Sequence, residues 1–269
     1  MNCTDAGSAV LAQLHALEHP RYFYGQLLGV RHFESEHEYF KAKLWMLNRL
    51  VHGYGVVCGL DVKEAPNEPG SVSVMPGLAL DKWGREIVVV APSAPVKVEP
   101  YQPPQRQEPR PPDRDDGDDC GPEGWAHLVI CYSECATDPE PVMAGGCDGP
   151  ARCSHGTVRE GYCLELRPEK ADRLEFRPEM GDPFRGRPFD YGELVRWVTE
   201  ICQPCADTEM DPCIPLANIR RPAPGQSITE IDIEVRPVVY SLDLLFAMML
   251  AHHTQPPTQK GGRPYRTQE

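Results

Sequence analysis

Apolar residues return along this chain in two different periods. Between residues 33 and 51 they recur at alternating intervals of four and three, at Phe33, His37, Phe40, Leu44, Leu47 and Val51. That is the 3.5-residue repeat of a coiled-coil seam, and it predicts a helix over residues 35–52. Ser35 with Glu38 supplies a capping box at its start, and Gly53 supplies its stop. A stripe of this length serves either of two purposes: packing on the chain's own sheet, which is the commoner use, or contact with another subunit.

After Gly53 the pattern changes to runs that suit strands: VVCGLDV, SVSVMPGLALD and REIVVVA, the last two joined by a turn at Lys82, Trp83 and Gly84. Pro76 marks a bend or an edge in the middle run, because proline has no N–H for a ladder. Beyond residue 124, AHLVICYSE reads as a strand, followed by a cysteine-bearing loop up to Cys163 and a further strand in GYCLELRP. A helix is expected at 191–201, then strands in IPLANIRR and SITEIDIEV. The latter alternates cleanly and predicts one wet face. The last helix, 239–253, carries a broad apolar face. Ahead of all these, a short helix at 8–19 is stopped by Pro20, and RYFYGQLLGVRHF, interrupted by Gly25 and Gly29, reads as an extended arm that needs a surface to lie on.

The expected fold is therefore α+β and β-rich. An arm, a helix and a small antiparallel sheet occupy residues 1–97. A Pro- and Asp-rich linker or disordered loop follows at 98–124, then a cysteine-rich α+β domain with two helices at 125–253 and a disordered tail at 254–269. The acidic run at 113–119 lacks the spacing of a calcium loop and reads as a solvated charge run.

Charge and composition narrow the function. The chain has 269 residues and a formal net charge of −13, which disfavours a general nucleic-acid binder. No apolar run is long enough for a membrane span, and the N-terminus lacks the basic and apolar regions of a signal peptide, so synthesis in the cytoplasm is expected. In that compartment eleven cysteines point to thiols or metal ligands rather than a disulfide framework.

The cysteines fall into two groups, Cys131, Cys135, Cys147, Cys153 and Cys163 in one, and Cys202, Cys205 and Cys213 in the other. Cys202 and Cys205 have the two-residue gap that lets two thiolates reach one tetrahedral ion, and Cys213 is near enough to join them. Cys147 and Cys153, in a Gly-rich stretch, are the best remaining donors, with His155 a further candidate, so a structural zinc is expected on Cys147, Cys153, Cys202, Cys205 and Cys213. The alternatives are buried thiols packing as small hydrophobes, and disulfides formed after release from the cell. A redox role for Cys202 and Cys205 fits less well, since the pair follows a helix end rather than opening one. His15, Glu18 and His19 match an H-x-x-E-H pattern in form, but Pro20 follows at once and no further acidic ligand is evident. With no phosphate loop, nucleophile elbow or dinucleotide fingerprint, an enzyme is not expected.

The segments RYFYGQLLGVRHFESEHEYFKAKLWMLNRLVHGYGVVCGLDV and MPGLALDKWGREIVVV resemble a family of uncharacterised proteins encoded with phage-tail-like contractile injection systems. Phe23, Gly25, Gln26, Asn48, Arg49, His52, Gly53, Pro76, Gly77, Asp81, Gly84, Arg85 and Glu86 are among the positions that carry the likeness. The resemblance implies a structural or adaptor subunit at a baseplate or its periphery, a homo-oligomer (trimer or hexamer) and other particle subunits as partners. Its assembly residues would be Phe23, Gly25, Gln26, Phe40, Leu44, Leu47, Asn48, Arg49 and His52, although for the last three holding the helix to its sheet is the commoner use. Two other classes stay open: a zinc-dependent hydrolase, which needs an open metal position and a base, and a receptor- or glycan-binding module, which needs exposed aromatics such as Tyr54 or Trp83.

Overall fold

The structure is a computed structural model that describes residues 16–101, 124–142, 153–172, 191–196, 199 and 211–254. The chain divides into two compact units, 1–239 and 240–269. The larger unit is α+β and dominated by strands. Helix α1 (Val30–Leu47) runs into a π-helical turn (Asn48–His52), followed by β1 (Gly55–Gly59), β2 (Val62–Glu64), β3 (Ser71–Val74), β4 (Gly77–Leu80), β5 (Glu86–Val89) and β6 (Val96–Lys97). Then come β7 (Trp125–Pro141), β8 (Cys153–Pro168), a short helix α2 (Tyr191–Arg196), β9 (Ile214–Arg220) and β10 (Ile231–Asp232). The smaller unit contains helix α3 (Leu242–Thr254).

Three antiparallel sheets form, in the orders β1-β4-β5, β2-β3-β6 and β10-β9-β7-β8. The run SVSVMPGLALD does break at Pro76: β3 and β4 lie on either side of it in different sheets. One apolar core joins all three sheets, drawing Val56, Leu60, Val72, Val74, Ile87 and Val98 from the first hundred residues and Leu128, Ile130, Tyr132, Ile214, Leu216 and Ile219 from the second part. Strands on both sides of the 98–124 segment thus close over the same interior. Most of that segment, and of the 254–269 tail, lies outside the described residues.

Several expected elements differ in the structure. Helix α1 starts at Val30, not residue 35, because the imidazole Nδ1 of His32 accepts the Gly29 backbone N–H at 3.0 Å, acting as the glutamate of a capping box would. The stretch from Cys131 to Cys163 is not a loop over its described part: β7 and β8 pair continuously in register from Ala126 with Pro168 out to Pro141 with Cys153. SITEIDIEV forms only the two-residue β10, because Asp232 Oδ1 accepts the Glu234 N–H at 3.0 Å and turns the chain out of the ladder. Residues 16–20 are not helical, and the rest of the expected 8–19 helix lies outside the described residues, as does most of 197–201.

Candidate functional site

Helix α1 has two apolar faces that point in different directions. The inner one holds Ala42 and Trp45 and continues into the polar Asn48 and Arg49 of the π-helical turn, all four buried. The Trp45 ring meets Tyr132 of β7 edge-on at 6.5 Å. Lys41 Nζ lies 4.8 Å from the Trp45 centroid and donates to Glu134 Oε1 at 2.9 Å. Tyr132 Oη donates to the same oxygen at 2.7 Å. Burial pushes the Tyr132 phenol up, and the Glu134 contact adds to it.

Below this layer sits the β4–β5 hairpin, which carries Gly77, Asp81, Gly84, Arg85 and Glu86. Asp81 and Arg85 are both fully buried. Asp81 Oδ1 accepts the backbone N–H groups of Trp83 and Arg85, each at 2.9 Å, and Oδ2 accepts Arg85 Nε at 2.6 Å. The guanidinium lies between the rings of Trp83 and Tyr132, 4.5 Å from each. Burial pushes the Asp81 carboxyl up against the pull of Arg85 and the two N–H donors. Asn48 Nδ2 ties the helix end to this hairpin, donating to Gly84 O at 2.9 Å and Glu86 Oε1 at 2.7 Å. Gly84 has φ +90° and sits so close to the helix that a Cβ would fall 2.1 Å from Trp45 O. Only glycine suits that position.

The outer face is the heptad seam. Phe33, Phe40, Leu44, Leu47 and Val51 are all at least half exposed, Phe40 at 61% and Val51 at 68%. At 3.6 residues per turn this seam is centred roughly 120° around the helix from Trp45. The commoner reading of the stripe, packing on the chain's own sheet, is therefore not what the structure shows; a different face does that work. The arm that precedes the helix is equally unburied, with Phe23 at 66% and Leu27 at 91% exposure. Its turn is closed locally: Gln26 N–H donates to Phe23 O, Phe23 N–H donates to Gln26 Oε1, both at 3.2 Å, and Gly25 adopts φ +82°. The arm is tethered to α1 by Tyr22 Oη donating to Glu36 Oε2 at 2.9 Å and by the His19 and Tyr39 rings 4.9 Å apart. The Glu36 hydrogen bond pushes the Tyr22 phenol up.

The nine expected assembly residues thus separate by environment. Phe23, Phe40, Leu44 and Leu47 are exposed apolar groups; Gly25 and Gln26 shape the arm; His52 is exposed. Asn48 holds the helix to the hairpin. Arg49 is 8% exposed, and its Nε and Nη1 find no hydrogen-bond acceptor among the described residues.

Of the expected zinc ligands, Cys147, Cys202 and Cys205 lie outside the described residues. Cys153 is an exposed thiol at the start of β8. Cys213 is bonded to Cys131 through sulfur, with Cα atoms 4.4 Å apart. In that form neither can act as a thiolate ligand. Cys135 is also disulfide-bonded. Among the described residues, Cys131, Cys163 and Glu165 bring one ligand atom each within 4.8 Å of one another. The β7–β8 pairing creates this arrangement, and its mark in the sequence is the two-residue spacing of Cys163 and Glu165 on one strand face.

No family model matches the sequence, and no curated protein matches it. Among solved structures, a crystal structure of TssK is similar at a TM-score of 0.42 and 9% identity, over 81% of this chain and 41% of that one. The chain spans about two-fifths of the TssK length, and a likeness at this level carries no argument about function.

Proposed function

We propose that the protein is a structural adaptor subunit that joins a larger assembly through its N-terminal arm and the outer face of α1. The observation that carries this reading is the unburied seam. Five large apolar side chains at heptad spacing, continuous with an exposed aromatic arm, face away from the body that the rest of the helix is packed on. Isolated exposed apolar residues need no explanation, but a contiguous patch of this kind is normally covered by a partner.

The resemblance in sequence supplies the assembly: a phage-tail-like contractile injection particle, with the chain at the baseplate or its periphery. On this reading the subunit is made in the cytoplasm and carried into the particle, and its copies associate through the seam as a trimer or hexamer. Phe33, Phe40 and Leu47 would alternate with His37, Leu44 and Val51 as the two sets of core positions of a short coiled coil. The glycan-binding reading draws less support, since the Trp83 ring is already stacked on Arg85.

Native mass measured on the full chain tests the reading. An oligomer at a multiple of 30.1 kDa that becomes monomeric in Phe40→Glu and Leu44→Glu, with the same thermal unfolding of the monomer, is the expected result. A wild-type monomer at tens of micromolar, or an oligomer indifferent to both substitutions, would remove the seam from consideration.

A further inference from the structure

The face of the β7–β8–β9 sheet that points away from the main core carries a second arrangement, independent of the assembly reading. Cys131 is the register partner of Cys163 on β8. On the other side, the pairing of Ile130 with Ile214 leads directly to Cys131 and Cys213, whose Cα atoms are 4.4 Å apart. Three cysteines therefore form one row across three adjacent strands, and cross-strand neighbours project to the same face. Glu165, two residues along β8 from Cys163, projects there too. Val129 packs with Cys131 and Cys213 in a small buried apolar cluster on this face.

The donors are close together. Ligand atoms of Cys131, Cys163 and Glu165 lie within 4.8 Å of one another, and the Cys213 sulfur is bonded to that of Cys131. Tetrahedral zinc with zinc–sulfur bonds near 2.3 Å needs its sulfurs about 3.8 Å apart. The Cys131 and Cys163 sulfurs already lie within 4.8 Å of each other, whereas Cys213, on the far side of Cys131 from Cys163, falls outside that group. We propose that Cys131, Cys163 and Glu165 form a redox-gated site for one zinc ion or a similar thiophilic divalent cation, with Cys213 as the gate.

The gate is the bond between Cys131 and Cys213. A dithiol reductant gives two electrons and two protons to it, becoming a disulfide itself, and leaves two protein thiols. On binding the metal, Cys131 and Cys163 release their protons and coordinate as thiolates, and the Glu165 carboxylate adds an oxygen ligand. When the bond is closed, the Cys131 donor is withdrawn and the site cannot form. The surroundings fit this exchange. Arg167 bonds both Asp211 and, at 3.3 Å, Glu165. Asp211 Oδ1 also accepts the Cys213 N–H at 3.1 Å. Glu165 can turn to a metal while Arg167 stays held by Asp211. The set shares no residue with the ligands expected from spacing, and Cys213 enters it only as the gate.

Cobalt(II), added to the full chain after reduction and removal of the reductant, is the probe. The expected result is one cobalt per chain with an intense thiolate-to-cobalt absorption band, displaced by zinc and absent from the oxidised chain. Cys163→Ser and Glu165→Gln, both at exposed positions, should each weaken binding at least tenfold while leaving the circular dichroism unchanged. The double variant Cys202→Ser with Cys205→Ser should keep the band. Equal binding by oxidised chain, binding unchanged in Cys163→Ser, or a band lost with Cys202 and Cys205 would overturn the assignment.

Discussion

Arg85 and Asp81 are fully buried, and the groups gathered around them offset much of the cost of that burial. Two backbone N–H groups and one guanidinium N–H converge on Asp81, and two aromatic rings cover the flat faces of Arg85. Removing one charge strands the other, so Arg85→Met should cost about 3 to 5 kcal/mol of unfolding free energy, measured by urea titration. Asn48→Ala, which deletes two hydrogen bonds from a buried amide, should cost about 1 to 3 kcal/mol by the same measurement. Glu134 gives a pH signature. Burial alone would raise its carboxyl, but the hydrogen bonds from Lys41 and Tyr132 outweigh that and hold it below the ordinary value. The unfolded chain then binds this proton more readily than the folded one. The stabilisation is complete above the ordinary carboxylate range and is lost as pH falls through the lower folded value. Unfolding followed between about pH 3 and 6 should show stability falling on the acid side, with a shallower fall in Glu134→Gln.

At the scale of elements, α1 separates stability from assembly. Trp45→Ala on the inner face removes a buried ring from Tyr132 and Lys41 and should cost about 3 to 5 kcal/mol. Leu44→Ala, one residue away on the seam, should change the monomer's unfolding by about 0.5 kcal/mol or less. Thermal unfolding of both variants at low concentration checks the contrast. The periodicity made the seam visible in the sequence, yet it could not say which face met the sheet, because Trp45 and Ala42 are too few to form a periodic signal. The helix start was misplaced for a related reason: a histidine ring accepting a backbone N–H is not a pattern that capping rules anticipate. SITEIDIEV shows the opposite failure. Its alternation is real, but Asp232 bonds its own backbone and ends β10 after two residues.

For the molecule as a whole, the three sheets close over one interior, and the bond between Cys131 and Cys213 links positions 82 residues apart. Closing a loop of that length stabilises a fold by up to about 4.5 kcal/mol in the chain-entropy account. Cys213→Ser should lower stability by up to that amount under oxidising conditions and by much less in excess reductant, measured by thermal unfolding in both states. Local pattern alone established the β-rich α+β class, the break at Pro76, the Lys82 to Gly84 turn and the heptad seam, because each depends on neighbours within a few residues. Tertiary structure alone decided that Asp81 and Arg85 are buried together, that the seam faces outward and that three cysteines share one row. Those outcomes depend on strand register and on which surfaces meet, and residues far apart in sequence set both.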